Sequence, residues 1–322
     1  MEDVEFTAAS YAVPDQIISN DQLTQFMDTS DEWISKRTGI KRRHVSNTEN
    51  TSDLALKAAE KTLAKANVAG EDLNLIIVAT MSPDNMTPST AAIVQGKLGA
   101  KNAVAFDISA ACSGFSYGIA VARSMMLANG WQNAIVIGAE VLSKLLDWHD
   151  RSTAVLFGDG AGAVLLTHSS EQHLLGQDLE TFGDLGDKLV AGHSEVEHDF
   201  LKNKHQLSTF TMAGREVYRF ATHQVPSSII KAAVQSKIDL DEIDHFLLHQ
   251  ANKRIIEQVA RKLHQPLVKF PINIAEYGNT AAASEAILLA ECIQKKIIKK
   301  NDVVALSGFG GGLTVATLIF RF

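Results

Sequence analysis

The chain has 322 residues, 46% of them hydrophobic and 21% charged, with a net charge of −7. That length accommodates about two domains or one duplicated unit around a sizeable core, and the negative charge argues against a general nucleic-acid binder. No apolar run reaches the ~18 residues of a membrane span, and the acidic start Met1-Glu2-Asp3 lacks a signal-peptide pattern, which points to the cytoplasm.

In chain order, 53–66 reads as an amphipathic helix with Leu54, Ala58, Leu63 and Ala66 toward the core and Ser52 as its cap. Residues 75–80 form an unbroken apolar strand, and 103–108 the next. A helix over 113–129 has Arg123 as its only charge, so it is read as buried, and it stops at Gly130. Residues 168–208 are polar and irregular, a connection plus a surface excursion. Pro226 opens a helix. A further helix over 251–263 places Ile255, Ile256, Val259, Ala260 and Leu263 on one face, and apolar strands follow at 303–306 and 313–320.

The halves repeat. Residues 72–80 line up with 242–250 (242 − 72 = 170), and 134–138 with 302–306 (302 − 134 = 168). The expected units are residues 1–170 and 171–322. Continuous apolar strands alternating with helices indicate parallel sheet covered on both sides, giving a layered α/β/α/β/α sandwich with active-site residues beyond the strand ends.

The chemistry-bearing residue is Cys112, in Ala110-Ala111-Cys112-Ser113-Gly114 between a strand and a helix. Unpaired N–H groups and the helix dipole favour a thiolate there. A free Cys is most often structural, but the small neighbours let a substrate approach the backbone. The only other cysteine, Cys292, is distant, with no CxxC, so neither a disulfide framework nor a thiolate zinc site is expected. His249 follows an apolar strand in the opposite half, beside Gln250 and Asn252. His168, His173, His193, His198 and His205 lie in polar stretches without metal-ligand spacing and are read as solvated. Asn279, in Gly278-Asn279-Thr280, is the counterpart of Cys112 (279 − 112 = 167), either a cap or an oxyanion donor or both. The glycine runs 158–162 and 308–312 do not have GxGxxG spacing; they are read as tight turns that expose N–H groups to an oxyanion.

Together these segments resemble the β-ketoacyl-acyl-carrier-protein synthase III family, condensing enzymes of the thiolase superfamily. The resemblance runs from Ala9 to Phe322. It rests on Thr29-Ser30-Asp31-Glu32-Trp33-Ile34 with Arg37-Thr38-Gly39-Ile40, the Cys112 turn, and Asp150-Arg151 leading into Leu156-Phe157-Gly158-Asp159-Gly160. It continues through His249-Gln250-Ala251-Asn252, Gly278-Asn279-Thr280 and Phe309-Gly310-Gly311-Gly312. It implies a thiolase-like five-layered fold and a ping-pong reaction without a cofactor, with acyl-CoA as substrate. The acyl group moves to Cys112, and malonyl-acyl-carrier protein then loses CO₂ and its enolate attacks the thioester.

By the same resemblance His249 and Asn279 stabilise the enolate, and the backbone N–H groups of Cys112 and Gly311 hold the other oxyanion. Trp33, Arg37, Arg151 and Asn252 bind CoA; Arg219, Arg254, Arg261 and Lys262, with Arg215, meet the acidic carrier protein; Thr87 and Phe157 line the acyl pocket. A homodimer is implied, in which the Thr87 segment reaches the partner's pocket. Where many members carry a bulky aromatic near Thr87 this chain is smaller, so the pocket is expected to admit more than acetyl. Glu285-Ala286 departs from the family's apolar residue and proline.

Other members of the superfamily fit less well. Hydroxymethylglutaryl-CoA synthase needs a carboxylate at Ala79-Thr80-Met81, a thiolase a second reactive Cys where Phe309 stands, and the longer-chain condensing enzymes a second His in place of Asn279. A non-catalytic acyl-binding homologue is disfavoured by the intact Cys112, His249 and Asn279.

Overall fold

The computed structural model describes residues 2–196 and 207–322, so His198 and His205 lie outside the described residues. Strand β1 (Asp3–Ala12), the short pair β2 (Ile17–Ser19) and β3 (Arg42–His44), and helices α1 (Asn20–Leu23) and α2 (Asp31–Thr38) precede α3 (Thr51–Ala66). Next come β4 (Leu75–Ala79), α4 (Thr90–Leu98), β5 (Val104–Ile108), α5 (Gly114–Asn129), β6 (Asn133–Glu140) and β7 (Gly160–Ser169). The second half adds β8 (Leu174–Thr181), the two-residue strands β9 (Leu189–Val190) and β10 (Thr211–Met212), α6 (Gly214–Ser236), β11 (His245–Leu248) and α7 (Lys253–Lys262). It ends with α8 (Ile274–Tyr277), α9 (Ala283–Gln294), β12 (Val303–Gly310) and β13 (Thr314–Arg321).

Two sheets form, ordered β1-β7-β6-β4-β5 and β11-β12-β13-β8. Alternate residues of each strand face opposite layers. Ile76 and Val78 of β4 pack with Leu54, Ala58 and Val94 of α3 and α4. Ile77 turns the other way, meeting Phe115 and Ile119 of α5, Leu288 of α9, and Leu306 and Leu318 of the second sheet. Phe246 and Leu248 of β11 pack outward on Val225 and Ile229 of α6 and Val259 of α7. The layers are therefore α3/α4, sheet, α5/α9, sheet, α6/α7. Each large side chain buried in this way contributes about 1.5–3 kcal/mol.

Both sheets are mixed, not purely parallel. β4 runs parallel to β5 and β6, while β7 is antiparallel to β6 and β1. β12 is parallel to β11, and β13 antiparallel to β12 and β8. The closing pair in each half follows without an intervening helix, so the chain returns antiparallel. The polar stretch after residue 168 contains β8, whose alternating burial marks a sheet edge solvated on one side. There His168 and His173 are mostly buried, not solvated: His173 Nδ1 pairs with the Arg321 carbonyl at 2.9 Å.

Two helix starts also differ from the sequence reading. The cap of α3 is Asn50, whose backbone N–H donates to Asp53 Oδ2 at 3.0 Å, and Ser52 lies inside the helix. Pro226 sits within α6. It lacks the N–H that would bond the carbonyl four residues back, yet burial of Val225, Ile229 and Ala232 holds the helix together.

The repeat is visible in backbone geometry. Asn67 and Lys237 end α3 and α6 at the same left-handed φ of 55° (237 − 67 = 170). Ala111 and Ala281 have φ of 45° and 43° (281 − 111 = 170). This register sets Cys112 against Ala282, and Asn279 against Ser109, so Asn279 is not the positional twin of Cys112.

Candidate active site

Beyond the end of β5 the chain passes through Ala111, held in the left-handed region, into a 3₁₀ turn over Ala111–Ser113 and then α5. A non-glycine residue there costs of order 1 kcal/mol, strain that a functional turn retains. Ser113 Oγ bridges the Ala110 carbonyl (2.8 Å) and Thr314 Oγ1 (2.7 Å), fixing the turn to β13. Gly310 of β12 passes directly over the thiol: a Cβ on it would lie 2.7 Å from Cys112 Cβ and 3.0 Å from Sγ. Gly308 makes the same close pass over the Cα of Ser113. The second glycine run therefore serves close approach along a strand, and only Gly311 and Gly312 lie beyond it. In the first run Gly160 and Gly162 likewise lie in β7, under Ile287 and Ala286 of α9.

Cys112 is buried, packed with Leu142, Leu146, Phe157, Phe210 and Ala281. Burial pushes the thiol up, and charge on the Glu140 and Glu285 carboxyls, once they ionise, pushes it further. The α5 dipole opposes this with about 0.3–1 kcal/mol, up to ~2, less than the desolvation of a buried thiolate. The resting residue is a thiol, contrary to the thiolate expected from helix position alone.

His249 directly follows β11, and its N–H donates to the Ser307 carbonyl at 2.9 Å. Its ring packs edge-on to Phe309, centroids 5.1 Å apart, one residue from the glycine over Cys112. Burial lowers its pKa to about 3, so the imidazole is neutral. Ser284 holds the ring. Its Oγ accepts from the Gln250 N–H (3.3 Å) and lies 2.5 Å from His249 Nδ1. That contact fixes the ring orientation and leaves Nε2 as its other polar edge.

Asn279 does not end a strand. It follows α8 and makes an isolated bridge with Phe157, donating its N–H to the Leu156 carbonyl and accepting from the Gly158 N–H. Its Oδ1 accepts from the Ala281 N–H at 2.9 Å, so its amide N–H₂ is the free end. Arg43, fully buried, clamps this crossing: Nη2 donates to the Val155 carbonyl at 2.8 Å, and its stem borders Gly158 and Gly278. Cys112 and Asn279 thus meet through Phe157, and Cys112 and His249 through Phe309-Gly310.

The sequence reading missed Glu140, Ser284 and the destination of Glu285. Glu140 ends β6 and accepts from Thr80 Oγ1 (3.1 Å), the Met81 N–H (3.1 Å) and Ser82 Oγ. A carboxyl does stand at the end of β4, supplied from the neighbouring strand. Burial raises it to about 7. The available signal was a lone Glu closing an apolar strand; Glu285 was the same signal inside an apolar helix.

A cavity of about 870 Å³ opens at the surface between Trp33, Lys36, Arg37, Arg215, Tyr218 and Arg254. The Arg37 guanidinium lies 4.5 Å over the Trp33 ring and that of Arg151 5.5 Å from it. Asn252 caps α7, accepting from the Arg254 N–H, and donates Nδ2 to the Arg37 carbonyl. Arg254 donates twice to the Lys36 carbonyl. Arg219 lines an adjacent cavity with Lys188 and His223. Arg261 and Lys262 lie at the far end of α7, Arg261 paired with Gln258. A second cavity of about 650 Å³, bordered by Met81, Ile108, Ala111, Leu189 and Gly311, lies on the other side of the nucleophile turn. Thr87 and Met86 are exposed.

The family model described as 3-Oxoacyl-[acyl-carrier-protein (ACP)] synthase III matches residues 106–183, and that of its C-terminal part matches residues 233–322. The chain is 58% identical over 324 aligned residues to beta-ketoacyl-[acyl-carrier-protein] synthase III of Limosilactobacillus reuteri, covering 100% of both. It is similar to the crystal structure of 3-oxoacyl-[acyl-carrier-protein] synthase III from Aquifex aeolicus, with TM-score 0.92, 39% identity, and 99% and 100% of the two chains covered. The corresponding Pseudomonas aeruginosa structure gives TM-score 0.92, 36% identity, and coverage of 99% and 98%.

Proposed function

The chain belongs to the beta-ketoacyl-[acyl-carrier-protein] synthase III family, acyltransferases that prime type II fatty acid synthesis by decarboxylative condensation, and we propose that Cys112 is the residue it acylates. The observation that carries this is the packing at the α5 head. A buried thiol lies under the glycine of β12, with the free amide of Asn279 and the imidazole of His249 on adjoining elements.

The thiol gives its proton away as it attacks the acyl-CoA carbonyl, and CoA leaves as the thiol. Malonyl-acyl-carrier protein then loses CO₂. Negative charge grows on its thioester oxygen, where two fixed neutral donors, His249 and Asn279, stabilise it most. The enolate carbon attacks the Cys112 thioester, whose oxyanion takes the backbone N–H groups of Cys112 and Gly311. Collapse releases 3-oxoacyl-carrier protein and expels Cys112 as the thiolate, which takes a proton from solvent to restore the thiol. Burial of His249 is compatible with this role, because a neutral imidazole keeps one ring N–H as a hydrogen-bond donor.

The Trp33 mouth is the proposed CoA entrance. Trp33, Arg37 and Arg151 form the base-stacking surface, and Asn252 holds the turn beside it. Cationic Lys36, Arg37, Arg215 and Arg254 around it suit an acidic carrier protein. Arg219, Arg261 and Lys262 extend that surface farther out. Phe157, stacked 4.5 Å from Phe210, walls the acyl pocket.

We infer a homodimer because β5 is an unpaired edge strand with Val104 46% exposed, a pairing liability in a monomer. Exposed Thr87 lies on the neighbouring segment, where a partner's pocket would receive it. No helix among the described residues is long and apolar enough to cross a membrane, and none of their His, Cys, Asp and Glu groups could hold a metal. The proposal is a cytoplasmic enzyme of two units, 1–170 with the nucleophile and 171–322 with His249 and Asn279, working without a cofactor.

Intact-protein mass spectrometry after incubation with acetyl-, branched and medium-chain acyl-CoA tests this reading. A single adduct, absent in Cys112→Ala, is expected. With Thr87 in place of an aromatic, adducts longer than acetyl are expected too. No adduct from any acyl-CoA would overturn the assignment of Cys112; adducts from acetyl-CoA alone would overturn the wider pocket.

A further inference from the structure

Helix α5 carries Cys112 at its head, yet no side chain from the residues leading into it caps it. The preceding residues are alanines and Ser113, whose hydroxyl is committed to Ala110 and Thr314. The polar group that meets the first turn comes from the other half of the chain. Ser116 Oγ lies 3.0 and 3.1 Å from the two carboxyl oxygens of Glu285. Ser116 is the third residue of α5, where a capping side chain ordinarily accepts a free N–H.

Glu285 is fully buried. Its Oε2 occupies space that exists because residue 308 is glycine; a Cβ there would lie 2.7 Å away. Glu285 neighbours Ser284, the residue whose Oγ contacts His249 Nδ1. The first turn of α9 therefore touches the supports of both reaction centres.

We propose that Glu285 is a positioning residue for the Cys112 nucleophile, a polar cap delivered to the first turn of α5 from the second half through the Ser116 hydroxyl. This rests on Cys112 being the acylated residue. A neutral carboxyl holds that hydroxyl without cancelling the positive end of the dipole at the thiol. A carboxylate in the same place would compete with a thiolate for that field, and each unit by which it raised the thiol pKa would cost about tenfold in thiolate.

The surroundings keep the group neutral. Burial holds its pKa well above the usual carboxylate range, and among the described residues no cation pairs with it. The titratable groups near it are Cys112 at the head of α5 and, through Ser284, His249 after β11; Glu140 at the end of β6 acts on the same thiol. β12 offers Gly308 and β7 offers Gly162. On β1 the titratable Tyr11 pairs with Tyr277, near Glu291 and Lys295 at the other end of α9.

The test measures Cys112 modification by intact mass, with acetyl-CoA and separately with iodoacetamide, from about pH 6 to about pH 10, a range that spans documented buried Glu values. The proteins are the unaltered chain, Glu285→Gln and Glu285→Leu, with Cys112→Ala as blank. Gln keeps a neutral capping group. It is expected to react within about threefold of the unaltered chain near neutrality, and to keep gaining rate at alkaline pH where the unaltered chain levels off. Leu keeps volume without a cap and is expected to react about tenfold more slowly throughout. Identical pH profiles for Gln and the unaltered chain would overturn the proposal, as would a Leu variant that reacts as fast as either. Should Leu fail to fold, the Gln profile decides alone. Alkylation reads the thiol without an acyl donor, so failure of acyl-CoA to label the unaltered chain would sink the assignment of Cys112 while the iodoacetamide series still judged the cap.

Discussion

The two helix-starting turns of the central layer share one backbone and differ in their chemistry. Ala111 and Ala281 both adopt left-handed φ, and each turn packs across the molecule onto the other half's sheet. A Cβ on Gly138 of β6 would strike the Ala282 carbonyl oxygen, and one on Gly308 of β12 would lie 2.7 Å from the Ser113 Cα. At matched positions the side chains diverge. Cys112 stands opposite Ala282, Phe115 opposite Glu285, and Glu140 opposite Gly310 (each 170 apart). The repeat builds a symmetric frame that brings two turns together; the reaction needs a nucleophile from one and donors and a cap from the other.

If that division is right, removing a donor from the second half should spare the first half-reaction. His249→Ala and Asn279→Ala are each expected to lower condensation by about 10²–10³, the typical effect of one lost oxyanion donor. Acylation of Cys112 should stay within about tenfold of the unaltered chain. Single-turnover acylation, followed by addition of malonyl-acyl-carrier protein, separates the steps. Equal loss in both would show that the two halves do not divide the chemistry. Ser284→Ala removes the His249 Nδ1 contact without removing the ring, so a smaller loss in the same step is expected, near tenfold.

A second experiment sets the two crossings against each other. Gly310→Ala would place a methyl against Cys112, and Gly138→Ala would place one against the Ala282 backbone. Overpacking of this kind costs about 1–3 kcal/mol, so both variants should melt earlier. Only Gly310→Ala is expected to lose acylation beyond what its stability loss explains, because only its methyl meets the sulfur. Thermal melts alongside acylation rates give the comparison. Comparable acylation losses in both variants would mean that the crossings serve packing alone.

Much of this frame was legible in the sequence. Apolar runs such as 75–79 and 134–139 announce buried strands, and their repetition near 170 residues announces the duplication. Cys112 and His249 stood out as polar residues at the ends of such runs, whereas Asn279 follows α8 and ends no strand. The mixed sheet direction was not legible, since a buried strand reads the same whichever way its neighbour runs. Nor was β8, whose exposed face makes Leu174–Thr181 look like loop. Glu140 and Glu285 were visible as isolated carboxylates in apolar segments. What each one meets, Ser82 just past the neighbouring strand β4 or Ser116 on a helix 169 residues away, is set by tertiary contact and leaves no local pattern. The resting thiol follows from burial that the sequence position of Cys112 did not reveal.

The smallest expected effect concerns stability, and it contrasts Glu285 with Phe115, its uncharged partner by position. Burial raises the folded pKa of Glu285 above the ~4.3 of an unfolded Glu. The native state therefore keeps a proton that the unfolded chain has released. Such a group contributes its full stability below about pH 4.3 and loses it as pH rises toward the folded value, at up to about 1.4 kcal/mol per pH unit. Glu285→Gln has no proton to lose. Its melting temperature relative to the unaltered chain should thus climb with pH, from slightly lower near pH 5, where Gln makes the poorer bond to Ser116 at a cost of about 1 kcal/mol, to a few degrees higher near pH 8. Glu140, raised to about 7, titrates in both proteins and drops out of the difference. A difference that stays flat across this range would mean that the native carboxyl is already ionised, and the dipole at Cys112 would then be shared with a full negative charge.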